Sequence, residues 1–206
     1  MRKIIEGDVI LSGLHLTELF DLSDVEVMRN FRCSRNDLTS LVGSPHTVGG
    51  TFSCWSNYLT NLEGAPLTVG ASFYSNENKL TSLKGAPHTV GGDFFCSVNN
   101  LISLEGAPHT IGGTFCCNDN HLTSLKGAPQ TIGGDFRCHQ NNLTNLIGAP
   151  ETVGGDFYCH RNPLTSLEGI PKTVSKDFYI RKELKNKFPE EYIRSMCKIK
   201  GTVVYV

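Results

Sequence analysis

The chain has 206 residues, with 19 Lys/Arg against 20 Asp/Glu and a formal net charge of −1, a balance that gives no reason to expect nucleic acid as a partner. No apolar run approaches the ~18 residues that a membrane span needs. The opening Met1-Arg2-Lys3-Ile4-Ile5-Glu6-Gly7-Asp8 lacks the apolar stretch and cleavage site of a signal peptide, so the expected location is cytoplasmic, with no membrane partner.

Residues 1–30 read as an N-terminal cap, a degenerate coil in which Val9, Leu11, Leu14, Leu16, Leu19, Phe20, Leu22, Val25 and Val27 supply apolar surface without a clear motif. From 31 to 180 a phenylalanine recurs every 21 residues: Phe31, Phe52, Phe73, Phe94, Phe115, Phe136, Phe157 and Phe178. A fixed period of this length is the mark of a solenoid, in which stacked units bury one continuous core. With the phenylalanine as position 1, the unit reads F-x-C-x-x-N-x-L-T-S-L-x-G-A-P-x-T-V-G-G-D. Positions 1 and 3 are apolar and their neighbours vary, which predicts a short half-buried strand with Phe136 and Cys138 inward and Asp135, Arg137 and His139 outward.

Position 6 is asparagine in seven successive units: Asn36, Asn57, Asn78, Asn99, Asn120, Asn141 and Asn162. A buried amide stacked on its neighbours can satisfy the backbone groups exposed where the strand turns, so a structural asparagine ladder is expected. Leucines at positions 8 and 11 and Val or Ile at 18 fill the interior. Glycine at 13, proline at 15 and the glycine pair at 19 and 20 are turn chemistry, so the returning side is expected to be irregular, extended or 3₁₀.

Six of the eight cysteines (Cys33, Cys54, Cys96, Cys117, Cys138, Cys159) share position 3, where Ser75 and Ile180 stand in the other two units. A slot that accepts Ser or Ile wants a modest buried side chain rather than a thiol, so buried free cysteines are expected, with no disulfide and no metal. Only Cys116 and Cys197 fall outside that column. Residues 181–206 read as a C-terminal cap: Pro189-Glu190-Glu191 starts a short helix with Phe188, Tyr192 and Met196 spaced to face the array, and 201–206 forms a strand. This tail carries seven Lys/Arg against three Glu, net +4, whereas residues 1–180 are net −5.

The F-x-C-x-x-N-x-L-T-S-L unit resembles the L-x-L-x-x-N-x-L core of the leucine-rich repeat, in its compact bacterial and bacteriophage form, over about residues 31–180. The resemblance implies a mainly β, right-handed solenoid of eight to nine coils with short parallel strands on a concave face, and a non-enzymatic role in protein recognition. By analogy it also suggests a phage or bacterial protein that blocks a host defence factor. Related bacterial effectors carry a separate ubiquitin-ligase domain, for which the 26-residue tail has no room.

Specificity must then lie where the repeats disagree. On the outer strand face, Trp55, Tyr74 and Phe95 form an aromatic patch. Asp135, Arg137, His139, Asp156, Tyr158, His160, Asp177, Tyr179 and Arg181 form a polar one. Tyr, Trp and Arg are the usual anchors of protein interfaces, although Tyr and Phe also decorate strands for reasons of propensity alone. A protein partner is the expected ligand, and glycan or nucleotide capture on the same face is the alternative. His139 and His160 beside Asp135 and Asp156 suggest a metal, but columns on a flat sheet do not converge on one point. Cys116 with Asp135 and His139 suggests a nucleophile set, but such a face offers no pocket to exclude water. No cofactor and no catalytic activity are expected. Homo-oligomerisation is not readable from the sequence, although the divergent ends argue against end-to-end stacking.

Overall fold

A computed structural model describes residues 3–206 as a parallel β-solenoid of about ten turns. Each turn contributes one strand to each of two ten-stranded parallel sheets. The first, here the Phe sheet, runs from Val9–Ile10 through Phe31–Arg32, Phe52–Ser53 and the equivalent dipeptides to Phe178–Ile180 and Val203–Tyr205. The second, the Thr sheet, runs from Lys3–Ile5 and Val25–Val27 through Thr47–Val48 and its repeats to Thr173–Val174 and Lys198–Ile199. Register is constant at one repeat, so that Phe94 lies against Phe115 and Thr152 against Thr173.

The Thr sheet refines the expectation for the returning side. The turn residues at positions 13, 15, 19 and 20 do break the chain, but between them stands a β-branched Thr-Val or Thr-Ile pair. Two residues suffice for a strand when the same pair recurs in every coil. Both flanks of each coil are therefore pinned strand to strand at the usual ~4.8 Å spacing.

The interior is a set of vertical columns. The eight repeat phenylalanines are fully buried in one column with centroids 5.1–5.7 Å apart, stacked except at Phe115, which meets Phe94 and Phe136 edge-on. Leu122 and Leu125, Ile132 and Cys117 show the rest of one layer, all at 0 % exposure. The cysteines are free and buried as expected, and burial drives their thiols upward, to about 12 for Cys33. Several donate weakly to a carbonyl of the next coil, as Cys138 Sγ does to Tyr158 O at 3.3 Å. Ser75 uses its hydroxyl in the same way toward Phe95 O, which explains why serine can occupy that slot.

The asparagine ladder is present and joins neighbouring coils. Asn120 Oδ1 accepts the Leu101 N–H of the preceding coil at 2.9 Å. Its Nδ2 donates to Cys96 O of that coil (3.0 Å) and to Cys117 O of its own (3.2 Å). The amide holds a backbone turn that is otherwise unfavourable. The residue before it is left-handed in all seven units, with φ from +52° to +56° at Arg35, Ser56, Glu77, Val98, Asp119, Gln140 and Arg161. Glycine at position 13 has a different reason. Gly148 has φ +89°, and a Cβ there would run into the backbone of Leu125 and Lys126 one coil below.

The ends depart from the repeat and raise the coil number from the expected eight to nine. Residues in the 1–30 segment pair as strands onto the array, and so do Lys198–Ile199 and Val203–Tyr205. Helix α1, Glu190–Met196, follows Pro189 as predicted, but it presents a different face. Ile193 is fully buried and Phe188 is 5 % exposed, whereas Tyr192 and Met196 are 46 % and 39 % exposed. The helix is only seven residues long, and its Ile193 row, not the Tyr192/Met196 row, meets the last coil. Arg194 then reaches from α1 to the carbonyls of Ile199 (2.9 Å) and Gly201 (2.7 Å). In the array these same positions accept the next coil's N–H, as Ile132 O does from Gly154 and Gly134 O from Gly155. The guanidinium thus finishes the Thr sheet by satisfying the acceptors that another coil would use. No helix among the described residues is long and apolar enough to cross a membrane.

Candidate functional site

The outer face of the Phe sheet carries positions 21, 2 and 4 of each coil, and every residue of the two expected patches is placed along it. The structure adds something the sequence reading missed. Position 21 is a second hydrogen-bond ladder, in which a side-chain oxygen accepts the backbone N–H of position 21 in the next coil. It runs from Asp93 Oδ1 to Thr114 N (2.7 Å), Asp135 Oδ1 to Asp156 N (2.9 Å), Asp156 Oδ1 to Asp177 N (2.8 Å) and Asp177 Oδ1 to Thr202 N (2.8 Å). Asn30 and Ser72 make the same link. The signal was legible: the column reads Asn, Thr, Ser, Asp, Thr, Asp, Asp, Asp, and every member carries a side-chain oxygen.

Each aspartate in the polar patch therefore does two things. One oxygen holds the next coil. The other orients an outward side chain two residues on: Asp135 Oδ2 takes Arg137 Nη2 at 2.8 Å, Asp156 Oδ2 takes the Tyr158 hydroxyl at 3.1 Å, and Asp177 Oδ2 takes that of Tyr179 at 3.4 Å. Partial burial pushes the Asp135 carboxyl up, but the Asp156 N–H and Arg137 outweigh it and hold the pKa below the ordinary range. The Tyr158 phenol is pushed up by burial and then by donating to Asp156, so it remains a neutral donor.

The rings of this patch stack along the solenoid axis. Tyr158 and Tyr179 lie 4.3 Å apart at 13°, and His139 and His160 lie 4.6 Å apart at 9°. The Arg137 guanidinium sits 5.3 Å over Tyr158. Both faces of the Tyr158 ring are thus occupied, and ring edges point to solvent. Burial lowers His139 to about 4, with His160 adding to the effect, and burial with Arg161 lowers His160. Among the described residues neither Nδ1 has a hydrogen-bond partner, nor has Arg137 Nε. Arg181 stands at the edge of the patch, exposed and paired with Glu183 at 2.8 Å.

The aromatic patch is looser. Tyr74 and Phe95 stack at 5.0 Å and 27°, while Trp55 lies apart from them under the Arg35 guanidinium at 4.4 Å. All three rings are half-buried. The Cys116 position is a correction. Expected on the open face beside Asp135 and His139, it is 2 % exposed because its strand neighbours are the larger Phe95 and Arg137. Burial raises its thiol to about 12, against the Arg137 charge, so it is a poor nucleophile. The His139 and His160 rings are parallel, and among the described residues no group of three His, Cys, Asp or Glu could hold a metal ion.

Comparison of the chain with protein-family models, with curated proteins and with solved structures found no match to any of them.

Proposed function

We propose that this protein is a non-enzymatic binding module of the leucine-rich-repeat type, and that it recognises a partner protein through the outer face of the Phe sheet. The observation that carries the reading is the polar patch from Asp135 to Arg181. Its guanidinium, phenols and imidazoles are held in place by a carboxylate ladder and by mutual stacking. A surface ordered before the partner arrives loses little side-chain entropy on binding. It also mixes aromatic, cationic and hydrogen-bonding groups in the manner of interface hot spots.

The alternative, glycan or nucleobase capture, needs an open ring face for stacking. The Tyr158 faces are taken by Arg137 and Tyr179, which favours a flat protein surface contacting ring edges and hydroxyls. The aromatic patch at Trp55, Tyr74 and Phe95 belongs to the same proposed face as a second contact area. The compact repeat type extends the proposal, by resemblance alone, to a phage or bacterial protein acting in a bacterial cytoplasm on a host factor.

The test is affinity capture from bacterial lysate with three baits: the native chain, an Arg137→Ala/Tyr158→Ala/His160→Ala variant, and a His88→Ala/His109→Ala control at the other flank. A stoichiometric protein retained by native and control baits and lost with the triple variant supports the reading. A partner held equally by all three, with the triple variant's melt intact, refutes this face as the site.

A further inference from the structure

The two ends of the solenoid carry opposite charge. Residues 3–24, which form the first coil, hold Lys3 against Glu6, Asp8, Glu18, Asp21 and Asp24, net −4 with histidine neutral. Residues 181–206, which form the last, are net +4. All six charged residues of the first coil are exposed, as are Lys182, Lys185, Lys187, Lys198 and Lys200 at the other end. The 25–180 array between them is nearly balanced at −2, so the charge is concentrated at the poles.

The poles also have unfinished surface. At the first coil Ile5, Val9, Leu11, Leu16 and Leu22 are only part-buried, although the matching columns inside the array are sealed. Leu14 and Phe20 are 56 % and 65 % exposed. Among the described residues the strand Val9–Ile10 pairs only with Phe31–Arg32, and Val203–Tyr205 only with Phe178–Ile180. Both outer edges of the Phe sheet are therefore open. The far edge of the Thr sheet is not open, because Arg194 occupies its carbonyls.

We infer that the acidic first coil is a docking surface for the basic last coil of a second copy of this chain, giving head-to-tail association. Head-to-tail stacking is a translation along the axis, so strands of the two copies remain parallel, as they are within each sheet. Thr202 stands in the position-21 ladder and Asp8 occupies the same position in the first coil, where it holds Asn30 N at 3.1 Å. A Thr-to-Asp step already occurs inside the array, where Thr114 Oγ1 accepts Asp135 N at 3.3 Å. The Phe sheet is the edge through which the copies meet, and Arg194 keeps the Thr sheet from continuing. The divergence of the ends, which in sequence argues against stacking, is a divergence toward complementary charge. This inference does not depend on the partner-binding face.

Sedimentation velocity tests it. At about 0.05 M salt the sedimentation coefficient rises with protein concentration, and at about 1 M, where the Debye length is ~3 Å, it returns to the monomer value. Glu6→Lys/Glu18→Lys brings the first coil from −4 to 0, and Lys182→Glu/Lys200→Glu brings the last from +4 to 0. All four positions are exposed, so neither change disturbs the core. Each variant alone stays monomeric, and mixing the two restores association as a one-to-one pair, because the intact basic end of the first then meets the intact acidic end of the second. Restoration also shows that both variants are folded. A native chain that is monomeric at every concentration in low salt overturns the proposal, as does association that neither variant weakens.

Discussion

The two hydrogen-bond ladders of this solenoid solve a similar problem with different strictness. Position 6 is asparagine in seven of the eight units and gives way only to Glu183 in the last, whereas position 21 accepts Asn, Thr, Ser and Asp. The difference follows from what each side chain must do. Asn120, buried, accepts one N–H and donates to carbonyls of both its own and the preceding coil. Only a primary amide of that length offers both functions. Position 21 needs a single acceptor at a part-buried edge, and any short oxygen-bearing side chain provides it. Strict identity in a repeat column thus marks a group used as both donor and acceptor, and relaxed identity marks a group that need only accept.

The largest test of this contrast is Asn120. Replacing it by alanine strands the Leu101 N–H and leaves the Cys96 and Cys117 carbonyls with one amide donor each, from Asn99 and Asn141, and should cost about 1–3 kcal/mol in a denaturant melt. Asn120→Asp keeps the acceptor but loses the donor and brings a carboxylate against two carbonyls, so it should be no better than alanine. Asn118→Ala, two residues earlier on the half-buried outer face, should change the midpoint little. Equal losses at 118 and 120 would show that the amide ladder is not what holds the turn.

At position 21 the expected loss is smaller and its pattern differs. Asp156→Ala removes the acceptor for Asp177 N and releases the Tyr158 hydroxyl, at a cost of about 1 kcal/mol. Asp156→Asn and Asp156→Ser keep an oxygen in place and should recover most of that loss. If asparagine proved as damaging as alanine, charge rather than a single acceptor would be the requirement, and the contrast between the ladders would fail.

Most of the fold is legible in the sequence because it repeats. A period of 21, apolar positions 1 and 3 and an asparagine recurring in seven successive units specify strand, core and turn without further information. The Thr sheet was harder to read, since a two-residue strand such as Thr152–Val153 has no alternation to detect and is flanked by glycine and proline. The face was legible as a set of columns but not as a wired surface. Asp135, Asp156 and Asp177 look like decoration until the coil spacing places each Oδ1 against the next N–H. Cys116 was misplaced for a similar reason. Whether a position-2 side chain is exposed depends on the size of its neighbours one coil away, which a single unit does not reveal. At the C-terminal end, periodicity chose the wrong helix face because seven residues hold too few turns to define one.

The left-handed residue before each asparagine gives a prediction of opposite sign. Val98 has φ +55° and is 51 % exposed, so a β-branched side chain is held in a conformation it disfavours and buries little in return. The amide ladder imposes this conformation from below. Val98→Asn, or Val98→Gly, should therefore stabilise the protein by about 1 kcal/mol, read as a higher melting midpoint. A neutral or destabilising result would mean that the turn is set by packing of the Val98 side chain rather than by Asn99.

The smallest effect is a slope with pH, and it tests whether the face is as dry as its geometry implies. His139 faces His160, Asp119, Arg137 and Arg161, and burial followed by the His160 interaction lowers its pKa from 6.5 to about 4. Between those values the unfolded chain takes up a proton that the folded chain refuses, so stability falls as pH drops through this window. The loss begins near 6.5 and is complete once the folded group titrates near 4; it separates from acid unfolding driven by Asp8, Asp135 and Asp177, whose lowered values act below the ordinary carboxylate range. His139→Gln should remove part of the slope between pH 6.5 and 4 and leave the lower one in place. An unchanged slope in that variant would mean that the imidazole is solvated in the folded state, and that the stacked pair is open to water before any partner arrives.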